Sequence, residues 1–304
     1  MRRFLAFLIL GLGVLGGLYW WAVENGTPAG TSYDFRLEEL RAAASAPELD
    51  RPEAITAIDI GRANAPGFAV GKGLDFAPVE MAFTAYVIDF GGGTQIVVDA
   101  PGDRQIVEEE LKGTFFPELY QELVAEMDNA DAILVTHEHL DHLSLVPRHP
   151  RPENLGPALR LTPPQIEELP AFSQDGELRP PLDRLISERF RDPRAIAPGV
   201  AVLETPGHTE GSLTIFVQLQ NGREYLLIGD IAWVMDNIEN AKTRPRIMQT
   251  FFFDPPEDRA LVQAQVRALH ELQKAEPELV ILPSHDAAQQ DGLVREGVLL
   301  SPRP

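Results

Sequence analysis

The stretch Ala132-Ile133-Leu134-Val135-Thr136-His137-Glu138-His139-Leu140-Asp141-His142 decides how this chain is read. A short apolar strand candidate, Ala132–Thr136, runs directly into three imidazoles and the Asp141 carboxylate. Such groups converge at a strand end when a loop wraps a cation, because neutral imidazole and carboxylate are both zinc ligands. Three more ligand-type residues each stand just past an expected strand: His208 in Thr205-Pro206-Gly207-His208-Thr209, Asp230 after Gly229, and His285 in Pro283-Ser284-His285-Asp286. With no cysteine in the chain, any metal must be held by His and carboxylate. Seven such residues exceed what one tetrahedral zinc needs, whereas two metals sharing a carboxylate and a hydroxide would use them all.

Outward from this centre the chain mixes strand and helix signals. Upstream, strands are expected at Ala54–Ile60, Gly67–Val70, Thr84–Phe90 and Thr94–Ala100, with Gly91-Gly92-Gly93 turning one strand into the next. Pro117 to Met127 has helical spacing. Residues 148 to 198 carry many prolines and one helix candidate, Pro164–Glu168, and read as an insertion over the core. Downstream strands are expected at Val200–Glu204, Ser212–Gln218 and Glu224–Gly229, the last two joined at Asn221-Gly222, a type I′ turn signal. A long helix over Pro256 to Lys274 and a strand at Leu279–Pro283 close the pattern. Nothing marks an internal boundary, so residues 53 to 304 are expected to form one domain.

Ahead of that domain, Arg2 and Arg3 precede an uncharged apolar run from Phe4 to Val23. As a helix this run would rise about 30 Å, enough to cross a bilayer, and Tyr19, Trp20 and Trp21 stand where aromatic rings favour the interface. Residues 1 to 24 are therefore expected to be an uncleaved transmembrane anchor, with a cleaved signal peptide as the alternative. Both readings place the rest of the chain outside the cytoplasm, tethered to the inner or plasma membrane or secreted, because the two arginines stay inside. Residues 25 to 52 read as a linker: Glu24 to Ser32 is a tether, and a short helix with a solvated face is expected at about Asp34 to Ala44.

The composition of 304 residues, 44% apolar and 24% charged, is that of a folded chain. Its 26 Lys plus Arg against 46 Asp plus Glu give a net charge of −20, which repels phosphate backbones and argues against a nucleic-acid partner.

The ordered set His137, His139, Asp141, His142, His208, Asp230 and His285 resembles the signature of the metallo-β-lactamase superfamily of metallo-hydrolases. The resemblance covers about residues 53 to 290, and Val97-Val98-Asp99 is similar to an early family strand whose Asp supports the metal loop. It implies an α/β fold, a four-layer αββα sandwich with the metals at one edge of the paired sheets. It also implies that His137, His139 and His208 hold one zinc, that Asp141, His142 and His285 hold a second, and that Asp230 bridges them. Manganese, iron or cobalt would suit the same donors.

Departures narrow the resemblance. His139 stands where the oxygen-reducing di-iron branch has Glu, and Asp230 supplies a bridge that true β-lactamases lack. Thr205 to Ser212, Leu282 to Asp286 and Phe83-Thr84-Ala85-Tyr86 are most similar to the N-acyl homoserine lactonase-like group. In many of those lactonases a Tyr three residues after the bridging Asp contacts the lactone carbonyl, and Trp233 stands there in this chain.

The expected function is a dinuclear zinc hydrolase that opens an ester-like bond in a small molecule, a lactone first, by attack of a metal-bridging hydroxide. Asp141 is the expected proton carrier to the leaving oxygen. Rival readings are a phosphodiesterase or sulfatase, a thioesterase of the glyoxalase II type, and a non-catalytic metal-binding domain. Trp233, Met235, Met248 and Phe251 to Phe253 would line an acyl pocket, or serve as ordinary core. Ser284 and Asp286 give no nucleophilic triad, and His149 and His270 are expected on the surface or in packing.

Overall fold

Alternating apolar residues and glycine turns build two five-stranded sheets. In the computed structural model, residues 2–24, 32–71, 73 and 75–302 are described; most of the expected tether lies outside them. The first sheet joins β1 (Ala54–Pro66), β2 (Pro78–Asp89), β3 (Gln95–Val98), β4 (Thr114–Phe115) and β5 (Ala132–Leu134) in the order β4-β1-β2-β3-β5. The second joins β6 (Arg194–Ala197), β7 (Val200–Glu204), β8 (Leu213–Gln218), β9 (Glu224–Leu227) and β10 (Val280–Leu282) in the order β10-β9-β8-β7-β6. Each sheet is mixed: β3 and β5 run parallel, as do β9 and β10, and the other pairs are antiparallel.

Three apolar cores separate four layers. Between the sheets, Ile55, Tyr86, Ile88, Ile96 and Leu134 meet Val202, Leu213, Ile215 and Leu227. Outside the first sheet lie α3 (Pro117–Asp128), α4 (Leu140–Leu143), α5 (Leu145–Arg148), α6 (Pro152–Leu155) and α7 (Pro163–Phe172), which bury Leu123, Leu143, Val146, Leu155 and Leu169 against Ile58, Phe83 and Val97. Outside the second lie α2 (Leu37–Ala43), α8 (Met235–Glu239) and α10 (Arg259–Ala275), where Leu40, Ile238, Val262 and Val266 cover Phe216 and Leu226. Each layer hides an apolar face that water would otherwise cover, at about 25 cal/mol per Å². Two further α-helices are α9 (Arg246–Phe251), ahead of α10, and α11 (Ala287–Arg295), after β10.

Several local expectations need correcting. Gly67–Val70 is a turn: β1 runs on to Pro66, Ala69 N–H donates to Pro66 C=O, and Gly71 at φ 102° reverses the chain. The loop between β8 and β9 has no type I′ geometry, because only Gly222 takes a positive φ, 83°, while Gly222 N–H donates to Leu219 C=O. That pattern is the longer hairpin loop with a glycine bulge. The long helix starts at Arg259, three residues late, because Asp258 caps it through Leu261 N–H.

The segment expected to be linker also packs into the domain. Phe35, Leu37 and Leu40 of its C-terminal part are buried against the second sheet, and Arg41 pairs with Glu224 at 2.7 Å and Glu276 at 2.8 Å. The presumed insertion likewise supplies α6, α7 and β6 to the layers.

The apolar N-terminal run forms α1 (Arg2–Tyr19), continued by a π-helical turn over Trp20–Glu24. Over Arg3–Val23 this helix is long and apolar enough to cross a membrane, and none of it is buried in the domain.

Candidate metal centre

All seven residues singled out in the sequence meet at one edge of the paired sheets. The loop after β5 brings His137 to His142, the β7–β8 loop brings His208, the turn after β9 brings Asp230, and the loop after β10 brings His285. Donor atoms of His137, His139, His208 and Asp230 lie within 4.8 Å of one another, as do those of Asp141, His142 and His285. His139 Nδ1 is 3.1 Å from His137 Nε2 and 2.9 Å from His208 Nε2, while His142 Nε2 is 3.3 Å from His285 Nε2.

Asp230 stands between the two groups with one oxygen toward each. Its Oδ2 is 3.4 Å from His208 Nε2 and 3.7 Å from His137 Nε2; its Oδ1 is 3.1 Å from His285 Nε2 and 3.5 Å from His142 Nε2. Oδ1 is buried and has no hydrogen-bond donor. Burial alone would raise the Asp230 carboxyl, but His285, His137 and His142 outweigh it and hold it well below the usual carboxylate range. A buried carboxylate ringed by imidazole nitrogens at these separations fits divalent metal binding.

The outward nitrogens of the imidazoles are fixed by the surrounding chain. His142 Nδ1 is 3.0 Å from Asp99 Oδ2, His208 Nδ1 is 2.6 Å from Glu257 Oε1, and His285 Nδ1 is 2.8 Å from the Ala82 carbonyl. An Nδ1–H donated outward leaves the Nε2 lone pair aimed at the centre. Burial pushes the His137 imidazole well below its usual range and His139 down to about 3, so both stand as neutral donors. For His142 burial pulls down, yet Asp99, Asp141 and Asp230 outweigh it and raise it well above.

Asp99 itself takes a left-handed φ of 69°, which lets it accept from Thr136 N–H at 2.6 Å and Thr136 Oγ1–H at 3.0 Å. Gly229 is required beside it: at φ 54° a Cβ there would come within 3.0 Å of the Thr136 Cβ. That close approach brings the Asp230 turn onto the histidine loop.

Four residues overlooked in the sequence complete the support. Buried Gln165 of α7 donates to Val135 C=O at 2.8 Å and Gly211 C=O at 2.9 Å, tying β5 to the His208 loop. Glu138 ties the same two loops by accepting from Thr209 Oγ1–H at 2.8 Å and Gly211 N–H at 3.0 Å. Behind His208, Glu257 is paired with Arg244, and both are buried. The Arg244 guanidinium also lies over the Trp233 ring, 4.9 Å from its centroid. Gln165 alone carried a local signal, as the fourth residue of a Thr162-x-x-Gln165 capping box.

Trp233 Nε1–H donates to Asp230 Oδ2 at 2.6 Å, so the indole N–H is spent on the carboxylate. Phe253 stacks on His139 with centroids 5.3 Å apart, and Met248 and Trp233 share its apolar cluster. Met235 packs instead with the core of the second sheet, and Phe251 and Phe252 are exposed. Asp286 caps α11 and accepts from Met235 N–H at 2.8 Å, while the Ser284 hydroxyl is buried without a partner. His149 is buried with Val124 C=O beside it, and His270 packs on Ile238 C=O.

Comparison with known proteins gives a consistent result. A model of the metallo-beta-lactamase superfamily matches residues 84–285. A quorum-quenching N-acyl homoserine lactone lactonase of known structure aligns with a TM-score of 0.57 at 19% identity, over 80% of this chain and 96% of that one. An N-acyl homoserine lactone hydrolase with the product N-hexanoyl-L-homoserine bound at its catalytic metal centre gives 0.57 at 18%, over the same shares of 80% and 96%. A probable metal-dependent hydrolase from Staphylococcus aureus gives 0.54 at 15%, over 78% and 90%. These likenesses establish the fold. The search of curated protein sequences gives no match. The family match spans well over half of the chain and includes all seven converging residues, so the chain belongs to the metallo-beta-lactamase superfamily and is a metal-dependent hydrolase.

Proposed function

We propose that the chain is a dinuclear zinc hydrolase acting on small ester-like substrates, lactones first, held outside the cytoplasm by its N-terminal helix. His137, His139 and His208 hold one cation, Asp141, His142 and His285 the other, and Asp230 bridges. The observation that carries this reading is the division of Asp230, one oxygen to each imidazole group. Two divalent cations, when bound, supply Lewis-acid polarisation and a water acidified toward neutrality.

The chain's own groups do the rest. Neutral His137 and His139 add no charge, so the carboxylates of Asp141 and Asp230 leave a net positive site that favours an oxyanion. Asp141 is half-buried, its side chain 18% open, with Oδ2 3.4 Å from His285 Nε2. It is placed to carry a proton to a leaving oxygen. Trp233 and Phe253 wall one side with apolar rings that shed water from an acyl group. The lactone preference is supported by the fold shared with lactonases, and the net charge of −20 weighs against polyanionic substrates. Residues 1–24 form the anchor or signal, and the metal-binding domain follows the tether.

A hydrolysis screen of the zinc-loaded chain over lactones, thioesters, phosphodiesters, sulfate esters and β-lactams tests this reading. Turnover of lactones, lost with Asp230→Asn, is expected. Clear phosphodiesterase or thioesterase activity without lactonase activity would reject the lactone while keeping the dinuclear hydrolase.

A further inference from the structure

The end of the apolar N-terminal helix lies against the wall of the metal centre. The Arg246 guanidinium of α9 sits over the Trp21 ring, 5.1 Å from its centroid. Helix α9 is only six residues long, about 9 Å, and leads directly into Phe252 and Phe253. Phe252 meets Phe253 at 5.2 Å, and Phe253 stacks on His139. One short helix therefore separates the interfacial tryptophans from a ligand-type imidazole.

The surface between them is apolar and open. Ile247, Phe251 and Phe252 are 43%, 71% and 65% exposed, beside Trp20 at 56%. The neighbouring loop carries Phe76, 68% exposed, and packs on the 237–243 segment through Asn237 Nδ2–H and Val70 C=O at 2.5 Å. Large aromatic groups left in water beside a helix sized for a bilayer mark a membrane-contacting face. In a chain of net charge −20, Arg246 on α9 and Arg259, whose Nε–H donates to Gln249 Oε1 at 3.3 Å, bring two cations to this helix. Cations at that level suit the phosphates of lipid headgroups.

We propose that Phe76, Ile247, Phe251 and Phe252 rest on the bilayer that holds α1, and that the metal centre takes long-chain amphiphilic esters or lactones directly from that bilayer. The inference rests on reading Arg3–Val23 as a span, and its substrate half rests on the ester-hydrolase reading. A lipid-embedded acyl chain would slide past Phe252 and Phe253 with its head group toward the metals, never crossing bulk water.

The cysteine-free chain allows single-site labelling. Full-length Phe252→Cys, Leu8→Cys and Ile186→Cys, each carrying an environment-sensitive fluorophore, are reconstituted in phosphatidylcholine vesicles containing phosphatidylglycerol. Quenchers on the lipid chains should quench the probes at positions 8 and 252 and spare the probe at 186, whose side chain is 88% exposed on Ile186. Quenching at 8 without 252, or at neither, overturns the docking surface. For the substrate, an N-hexadecanoyl lactone is placed in the enzyme's own vesicles or in separate ones. Hydrolysis is expected roughly ten-fold or more faster in the shared bilayer, as confinement raises the effective concentration. Equal rates overturn delivery from the bilayer. Loss of all lactone turnover, long-chain and water-soluble alike, instead rejects the ester reading and leaves the quenching result to decide the surface.

Discussion

His208 Nδ1 and Glu257 Oε1 lie 2.6 Å apart, both withdrawn from solvent, with Arg244 closing the pair from behind. The carboxylate of Glu257 would be raised by burial, but Arg244 and His208 hold it below its ordinary range. The ion pair thus keeps a charged acceptor behind His208.

Arg244→Met would strand the buried Glu257 charge. We expect a loss of about 3–5 kcal/mol in unfolding free energy, read from the urea midpoint at constant slope. Glu257→Gln should weaken zinc about 10-fold or more in a chelator competition, since carboxylate partners orient ligating histidines. Unchanged affinity would remove Glu257 from the support of the site.

Metal content is the next test. About two ions per chain are expected by elemental analysis after reconstitution with zinc or manganese, because one tetrahedral ion leaves three of the seven donors unused. A stoichiometry of one or less rejects the pair. Asp230→Asn should weaken both sites together, since its oxygens face both groups.

Trp233→Phe removes the donor to Asp230 Oδ2 while keeping an aromatic wall. Zinc affinity should fall by about ten-fold, the usual scale for a lost outer-shell hydrogen bond. If affinity holds and only the KM for long-chain substrates changes, the indole serves packing alone.

Ser284→Ala should leave turnover intact and change stability by less than about 1 kcal/mol, because it deletes a buried hydroxyl that has no hydrogen-bond partner. A large loss of turnover would reinstate a side-chain nucleophile.

The full-length chain, expressed in a bacterium, should remain with the membrane through a carbonate wash and start at Met1 or Arg2. A soluble exported form starting near Gly30 would identify a cleaved signal instead.

What the sequence made legible was whatever local spacing encodes. The apolar run Ala132–Thr136 ahead of His137 located the centre, and His208, Asp230 and His285 followed because each stands just past a recognisable strand. Glu257 and Arg244 had no such signal. They lie in irregular chain on either side of α9, and only tertiary approach brings them behind His208. Gly67–Val70 was misread because Val70 fills an apolar cluster with Trp233 while the backbone turns. The proline-rich stretch hid Gln165, whose two amide bonds reach loops 30 and 46 residues away.

The division of donors between the sheets has a consequence for assembly. His137, His139, Asp141 and His142 belong to the first half of the chain, and His208, Asp230 and His285 to the second. Neither half alone supplies all seven donors, which meet only when both sheets are in place. Any metal held by these donors would therefore clasp the two sheets together, and metal retention through a gel filtration run would report that the sheets are correctly mated.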